Sequence, residues 1–208
     1  MSEVEVRQAI AAERRELAAL LGGLPPGRWD AASLCAGWRV REVVAHVTMP
    51  FRLSGGQFAI GMLAAAGSFN RMADRYARRD AAELSPQQLV DCLRDNAAHP
   101  WKPPAAGVLG ALSHDVIHGL DITAALDLDR HVPEQRLRLV LDGVTPRQVR
   151  YFGADLRGVQ LRATDLDWSF GAGSSVTGAA EDLLLVLCGR TLPSGRLHGQ
   201  QSPRFATP

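Results

Sequence analysis

The sequence has few cysteines, a single lysine and no long apolar run. Its three cysteines, Cys35, Cys92 and Cys188, are odd in number and far apart, which argues against a disulfide framework or a cysteine zinc knuckle. We expect them to be buried as small hydrophobic side chains. No stretch approaches about 18 uninterrupted apolar residues, so a membrane span is not predicted. Lys102 is the only lysine.

The charge balance also excludes several classes of partner. With 23 basic and 22 acidic residues, the net charge of +1 gives no electrostatic basis for binding nucleic acid or a membrane surface. The first residues are acidic and amphipathic, unlike a targeting segment, so we expect a cytoplasmic protein. We expect a monomer or a homodimer. A chain of 208 residues that is 46% apolar can bury one substantial core.

The first two-thirds of the chain have helical periodicity. Ser2 begins a capping-box pattern and a helix that we expect to end at Gly22. Ser85 begins a second such helix, expected to reach about Ala98. Between them, valines at positions 40, 43, 44 and 47 form one apolar stripe, and His46 falls about 60° from Val43 on the helical wheel. His46 should therefore border the core, in a helix that Pro50 bends or interrupts.

A histidine pair lies on the helix predicted for residues 105–126. His114 and His118, at positions i and i+4, project from one face, and Asp121 lies within about 60° of both. The rest of this helix is apolar, so the polar stripe should be buried, and a metal ion is an efficient partner for buried imidazoles. With His46 from a neighbouring helix, the pair would complete a three-nitrogen metal site with open positions for chemistry.

The histidines allow other interpretations. They could be packed or exposed side chains without a ligand, and Asp121 could either accept a hydrogen bond from a ligand imidazole or be a surface carboxylate. The motif from His114 to His118 also resembles a zincin helix with Asp115 in place of glutamate, and the doublet of His114 and Asp115 resembles metal-dependent phosphohydrolases. The remaining histidines, His99, His131 and His198, occupy loops or element ends, where solvated histidines are common.

The last third of the chain changes character. After an amphipathic segment over residues 133–144, the alternation in residues 159–164 and 167–170 predicts strands, and residues 178–190 form a closing helix. The tail from residue 193 is rich in proline, glycine, serine and glutamine, and we expect it to be loosely held. The sequence therefore predicts an α+β protein, with a helical domain over residues 1–130 and a small α/β domain over residues 131–208.

Several segments together resemble one known family. Ser33-Leu-Cys-Ala-Gly-Trp-Arg-Val-Arg-Glu-Val-Val-Ala-His46 is similar to the second-helix signature of the mycothiol-dependent maleylpyruvate isomerase family, which lies within the DinB-like four-helix-bundle superfamily. Residues 69–73, 116–121 and 176–190 are similar to later motifs of this family, in the same order. The resemblance covers nearly the whole chain and implies a DinB-like up-and-down four-helix bundle followed by a small C-terminal α/β domain.

The resemblance also implies a divalent metal, usually zinc, held by His46 and by the pair His114 and His118. The isomerase has glutamate where this chain has His114, whereas the wider superfamily often uses three histidines, so nickel and iron stay open beside zinc. A C-terminal arginine of the family contacts the substrate carboxylate, and Arg190 matches its motif position. The alternative for Arg190 is a solvated side chain near the negative end of a helix dipole.

The activity implied is that of an enzyme that uses a low-molecular-weight thiol such as mycothiol. A metal-held thiolate would add to a small electrophilic substrate, and would either be eliminated, as in an isomerase, or remain attached, as in an S-transferase. Asp121 would orient a ligand imidazole and Arg190 would contact the substrate. A metal-dependent hydrolase and a non-catalytic metal-binding or small-molecule-binding protein on the same fold remain as alternatives.

Overall fold

The chain folds into two units, divided between Leu128 and Asp129. The computed structural model describes residues 2–104 and 106–207. Helices dominate the first unit, and the second combines short helices with a small sheet, so the predicted α+β class is confirmed. Within the described residues no helix is both long and apolar enough to cross a membrane.

The first unit is built from helices that pack side by side. The longest, α1, packs against α5 and α6, while α2 contacts α4, α5 and α6, and α3 lies on α4. Their bounds are α1 Glu3–Gly22, α2 Val40–Arg52, α3 Gly55–Ala64, α4 Phe69–Glu83, α5 Pro86–Asp95 and α6 Gly107–Thr123.

Apolar stripes of the predicted period form the core of this unit. Leu17 of α1, Val43 of α2, Leu93 of α5 and Ile122 of α6 belong to one buried cluster. Each such side chain contributes about 1.5–3 kcal/mol when it is fully removed from water. The helices are therefore held together by burial, and this core fixes the position of any polar side chain at its edge.

Helix α2 is not interrupted at Pro50. The helix continues through Pro50 and ends at Arg52, and α3 begins after a capping box made by Ser54 and Gln57. A proline lacks an N–H and weakens the helix at that point, and here the chain leaves the helix within one turn. Of the two effects predicted for Pro50, a bend or an interruption of the helix, the interruption is therefore wrong.

Within its described residues, 129–207, the second unit contains three α-helices and a four-stranded sheet. The strand order is β2-β1-β3-β4; β1 pairs antiparallel with β2 and parallel with β3, and β4 is antiparallel to β3. Helix α9 packs on β1 and β3 through a nearly continuous apolar run. The elements are α7 Glu134–Asp142, α8 Pro146–Phe152, β1 Val159–Ala163, β2 Ser169–Gly171, β3 Ser174–Gly178, α9 Ala180–Leu187 and β4 Leu197–His198.

Two features of this unit differ from the sequence prediction. Helix α8 was not predicted, although Thr145 and Gln148 form a capping box and Pro146 occupies the first turn. The tail, expected to be loosely held, supplies β4 and a 3₁₀ turn, and Phe205 is buried. Leu192 donates its N–H to the Phe205 carbonyl at 2.8 Å and accepts one from Thr207 at 2.7 Å, and these bonds hold the tail in place.

Candidate metal centre

Three imidazole rings from two helices meet in the first unit. His46 lies on α2 and His114 and His118 lie one turn apart on α6, with ring centroids 4.8–5.1 Å from one another. One nitrogen of each ring lies within 4.8 Å of the other two. The Nε2 atoms of His46 and His114 are 3.2 Å apart, close to the distance of about 3.3 Å between two nitrogens that both bind zinc at 2.0–2.1 Å in a tetrahedron.

Carboxylates lie behind two of the three rings. The Nδ1 atom of His114 is 2.9 Å from an oxygen of Asp115, and that of His118 is 3.0 Å from an oxygen of Asp121. Because an ionised carboxylate only accepts hydrogen bonds, each of these rings donates its Nδ1–H and keeps a lone pair on Nε2. Histidines that ligate metals have this arrangement, so the residues present fit a divalent ion.

His46 is the most buried member of the cluster, with 7% of its surface exposed. Burial lowers its pKa well below the ordinary value of 6.5, and the neighbouring His118 and His114 add to this shift, whereas Asp121 opposes it. Its Nδ1 atom is buried and has no hydrogen-bond partner within residues 2–104 and 106–207. His46 is therefore neutral at pH 7, as a metal ligand must be.

Aromatic rings border the histidines. The Trp38 ring lies 5.1 Å from His46, and its indole N–H donates to Asp74 of α4 at 2.7 Å. The Trp101 ring meets the edge of His114 at 5.2 Å. These rings are only partly buried, so they can shield the cluster from water on one side and contact a ligand on the other.

Cys35 contacts the site in a way that the sequence did not reveal. It is buried, as predicted, but its sulfur lies 2.9 Å from Asp121 and 3.7 Å from Nδ1 of His118. Cys35, His118 and Asp121 could therefore also surround an ion. Because Nδ1 of His118 already shares a proton with Asp121, we interpret Cys35 as part of the support behind His118.

Asp115 and Arg14 were also missed. Asp115 follows His114 directly, and the sequence suggested a role for it only through its resemblance to hydrolase motifs. The structure shows it buried between His114 and the guanidinium of Arg14. Arg14 lies on the apolar stripe of α1 between Ile10 and Leu17, all of them buried. A charged residue in the middle of an apolar stripe is the signal that could have found it.

The other residues that the sequence singled out belong to other segments of the chain. Arg190 is in the second unit, in the segment that follows α9 and its C-cap Cys188, where its Nη1 donates to the carbonyl of Cys188 at 2.8 Å. His99 is half-buried and accepts the N–H of Trp101 at 3.1 Å, and burial lowers its pKa, so it is not the solvated side chain that we expected. His131 and His198 are exposed, as expected for element ends.

The burial of His46 predicts a pH dependence of stability. In the metal-free protein the unfolded chain binds a proton at His46 with a pKa near 6.5, but the folded protein resists protonation. Stability should therefore rise with pH between the two pKa values, by at most about 1.4 kcal/mol per pH unit for one group. Urea unfolding in a chelator at several pH values between about 5 and 8 measures this slope. The free energy of unfolding of His46→Gln should depend less on pH. Equal slopes for the variant and the wild type would show that His46 does not cause the pH dependence.

Known proteins share sequence or fold with this chain. Two uncharacterized proteins from two strains of Mycobacterium tuberculosis are 28% identical to it over 216 aligned positions, covering 87% of this chain and 83% of each relative. The crystal structure of the mycothiol-dependent maleylpyruvate isomerase superimposes with a TM-score of 0.60 and 16% identity, covering all of this chain and 95% of that one. A histidine-to-alanine mutant of that isomerase gives a TM-score of 0.58. These structures therefore have the same fold as this chain.

A family model gives the more specific result. The model described as the mycothiol maleylpyruvate isomerase N-terminal domain matches residues 10–123, which is more than half of the chain. The matched range contains all three clustered histidines and both carboxylates behind them. The chain therefore belongs to the family of the mycothiol maleylpyruvate isomerase N-terminal domain.

Proposed function

We propose that this chain is a thiol-dependent metalloenzyme that isomerises or S-conjugates a small, carboxylate-bearing electrophile. The cosubstrate would be a low-molecular-weight thiol of the mycothiol type. Family membership and the fold shared with a mycothiol-dependent isomerase support the thiol. The observation that carries the proposal is the cluster of His46, His114 and His118, in which Asp115 and Asp121 lie beside Nδ1 of two rings and leave Nε2 of each for a metal ion.

The donor set favours a borderline metal. His46, His114 and His118 would hold the ion, with zinc favoured and nickel or iron as other candidates for an all-nitrogen site. When bound, the ion supplies a positive charge that lowers the pKa of an entering thiol and holds its anion. Three neutral imidazoles bring no negative charge of their own, so they leave that positive charge available to the thiolate.

The chain's own residues orient the imidazoles and limit access of water. Asp115 and Asp121 each accept one Nδ1–H, which keeps the ligand lone pairs pointing inward, and Trp38 and Trp101 cover two of the rings. The thiolate of the cosubstrate would form a bond to the electrophilic carbon while the π electrons of the substrate's carbon–carbon double bond shift toward its carbonyl group. Rotation about the resulting single bond and loss of the thiolate gives the isomer; protonation instead gives the S-conjugate.

Arg190 is proposed to contact the substrate carboxylate. Its position after α9 corresponds to the arginine that the family resemblance implies for this role. A guanidinium is suited to it because it can donate two parallel hydrogen bonds to one carboxylate.

A zincin-like hydrolase is a weaker candidate. In that mechanism Asp115 would be the general base beside the metal, on the Nε2 side of His114. Here Asp115 binds the Nδ1 side of the ring and also accepts a hydrogen bond from the buried Arg14. Its carboxylate is therefore occupied on the opposite side of the ligand, where it can orient His114 but cannot activate water.

The activity test is thiol-dependent turnover of a panel of unsaturated acids. The zinc-loaded protein should convert at least one of them when mycothiol is present, and the rate without thiol should fall to the uncatalysed level, because the nucleophile is not a residue of the chain. Mass spectrometry distinguishes an isomer, with unchanged mass, from a thiol adduct. Ester or amide cleavage without thiol would support the hydrolase instead, and metal binding without any turnover would support a binding protein.

The same assay tests Arg190. Arg190→Gln should raise KM for carboxylate substrates by about 10–100-fold, the loss expected for a charge-assisted hydrogen bond of 1.5–3 kcal/mol. An uncharged amide analogue of the substrate should show no such difference between the two proteins. Equal KM values for the acid would contradict the proposed contact.

A further inference from the structure

We infer that Arg14 is a positioning residue for the metal centre, because it holds the ring of His114 from two sides at once. It acts through Asp115 on the ring nitrogen, and through the loop after α5 on Trp101, which packs against the same ring. This inference rests on the proposed function, since it concerns the same metal site. Arg14 lies on α1, which carries none of the three histidines.

The first connection runs through a buried carboxylate. Arg14 is fully buried, and its Nε donates to Oδ2 of Asp115 at 2.6 Å, while Oδ1 of Asp115 accepts from Nδ1 of His114 at 2.9 Å. Each oxygen of Asp115 therefore has its own donor: Arg14 on α1 for one oxygen, and His114 on α6 for the other. Because neither oxygen can leave its partner without exposing a buried charge, the carboxylate cannot rotate, and it fixes both the tautomer and the direction of the His114 ring.

The second connection runs through the backbone. Nη1 of Arg14 donates to the carbonyls of His99 at 2.9 Å and Ala97 at 3.4 Å, so it holds the loop that follows α5. The ring of His99 in turn accepts the backbone N–H of Trp101 at 3.1 Å. The indole of Trp101 then meets His114 at an interplanar angle of 68°. One guanidinium thus determines both the hydrogen bond and the aromatic contact of His114.

A purely structural role does not explain this arrangement. Burying an ion pair gains little net stability, and apolar residues of similar volume often replace such pairs without loss. The neighbours of Arg14 on the same stripe, Ile10 and Leu17, show that apolar side chains suit this helix face. What an apolar residue could not do is give Asp115 a donor and hold the loop carbonyls in place.

The test measures cobalt binding to two conservative variants. Arg14→Lys keeps the charge but loses the planar fork that spans Asp115 and the loop, and Asp115→Asn keeps the side-chain shape but loses the charged acceptor. Both should weaken cobalt affinity by about 10–100-fold, the usual cost of losing an outer partner of a ligand histidine, and both should alter the visible spectrum of the bound ion. Affinity is measured by competition with a chelator.

Asp80→Asn is the matched control. Asp80 is also a buried carboxylate of the first unit and pairs with Arg52 and Arg79, and within the described residues no hydrogen bond or ion pair joins it to the clustered histidines. This variant should lose stability but keep the wild-type cobalt affinity and spectrum. If Arg14→Lys lowers the melting temperature while cobalt affinity and spectrum stay unchanged, the inference is overturned. If the wild-type protein itself binds no cobalt, the proposed function fails instead.

Two further measurements test the role of Arg14 if Arg14→Lys does not fold. The double variant Arg14→Met with Asp115→Asn removes both buried charges together, and should fold and bind cobalt as weakly as Asp115→Asn. Nitrogen NMR of the metal-free wild-type protein reads the His114 tautomer directly. We expect the proton on Nδ1; a proton on Nε2 would contradict the role of Asp115 and, with it, that of Arg14.

Discussion

Replacing His118 by alanine is expected to abolish stoichiometric metal binding. The change removes one of three nitrogens and leaves Asp121 without the imidazole N–H that it accepts at 3.0 Å. Losing only an outer partner of a ligand costs about 10–100-fold in metal affinity, so losing the ligand itself should cost more than about a hundredfold. Thiol-dependent turnover should fall to the uncatalysed rate with it.

The melting temperature provides a readout that does not depend on finding the substrate. Metal at a hundredfold excess over its dissociation constant should stabilise the wild-type protein by about 2.7 kcal/mol, and His118→Ala should show almost none of this increase. His131→Ala is the control, because His131 is exposed and lies in the other unit. A normal zinc content and a normal zinc-induced shift in His118→Ala would mean that the three histidines are not the metal site.

Replacing Asp121 by asparagine should have the second largest effect, at the upper end of the range of about 10–100-fold loss in metal affinity. Asp121 accepts the Nδ1–H of His118 and lies 2.9 Å from the thiol of Cys35, so it joins α6 to the segment that precedes α2. An asparagine retains the shape, but its amide can present an N–H to His118, which would favour the tautomer with the proton on Nε2. The ligand lone pair would then point away from the metal.

The result for Asp121→Asn is compared with Cys35→Ser. A serine hydroxyl can still donate to Asp121, so Cys35→Ser should keep metal affinity within a few-fold of wild type. Both are measured by chelator competition at the same pH. A cobalt affinity for Asp121→Asn equal to that of the wild type would show that Asp121 does not orient His118, and would leave it only a packing role.

Local patterns in the sequence predicted most of the fold. Capping boxes at Ser2 and Ser85 and the valine stripe around His46 located α1, α5 and α2, because these signals are contained within a few neighbouring residues. The alternation near Leu161 located β1 for the same reason. The tail was misjudged because composition describes local preference, whereas the tail is fixed by the burial of Phe205 and by the backbone bonds of Phe205 and Thr207 to Leu192.

The candidate site was only partly predictable, for a related reason. Helical spacing put His114, His118 and Asp121 on one face, and the apolar stripe put His46 at the core edge, so these four residues were identified together. The supporting residues are separated by long stretches of sequence: Arg14 and Asp115 are 101 positions apart, and Cys35 and Asp121 are 86 apart. No periodicity within one element can reveal such pairs, because they form only when α1 and the segment before α2 pack against α6.

The two carboxylates behind the histidines have different partners. Asp115 is paired with a guanidinium, which keeps its charge compensated in a fully buried place, whereas Asp121 lies beside a thiol. The positions of His114 and His118 are consequently controlled by different parts of the chain, α1 in one case and the segment before α2 in the other.

The most direct test of the account is a titration of the cobalt-substituted protein with mycothiol, followed by absorption spectroscopy. If the three histidines hold the metal and leave a position for the cosubstrate, a sulfur-to-cobalt charge-transfer band should appear in the near ultraviolet and saturate at one thiol per protein. His118→Ala should show no such band, and neither should wild-type protein titrated with an S-methylated thiol. A visible cobalt spectrum that does not change with any amount of thiol would contradict the central claim that this metal centre binds a thiolate.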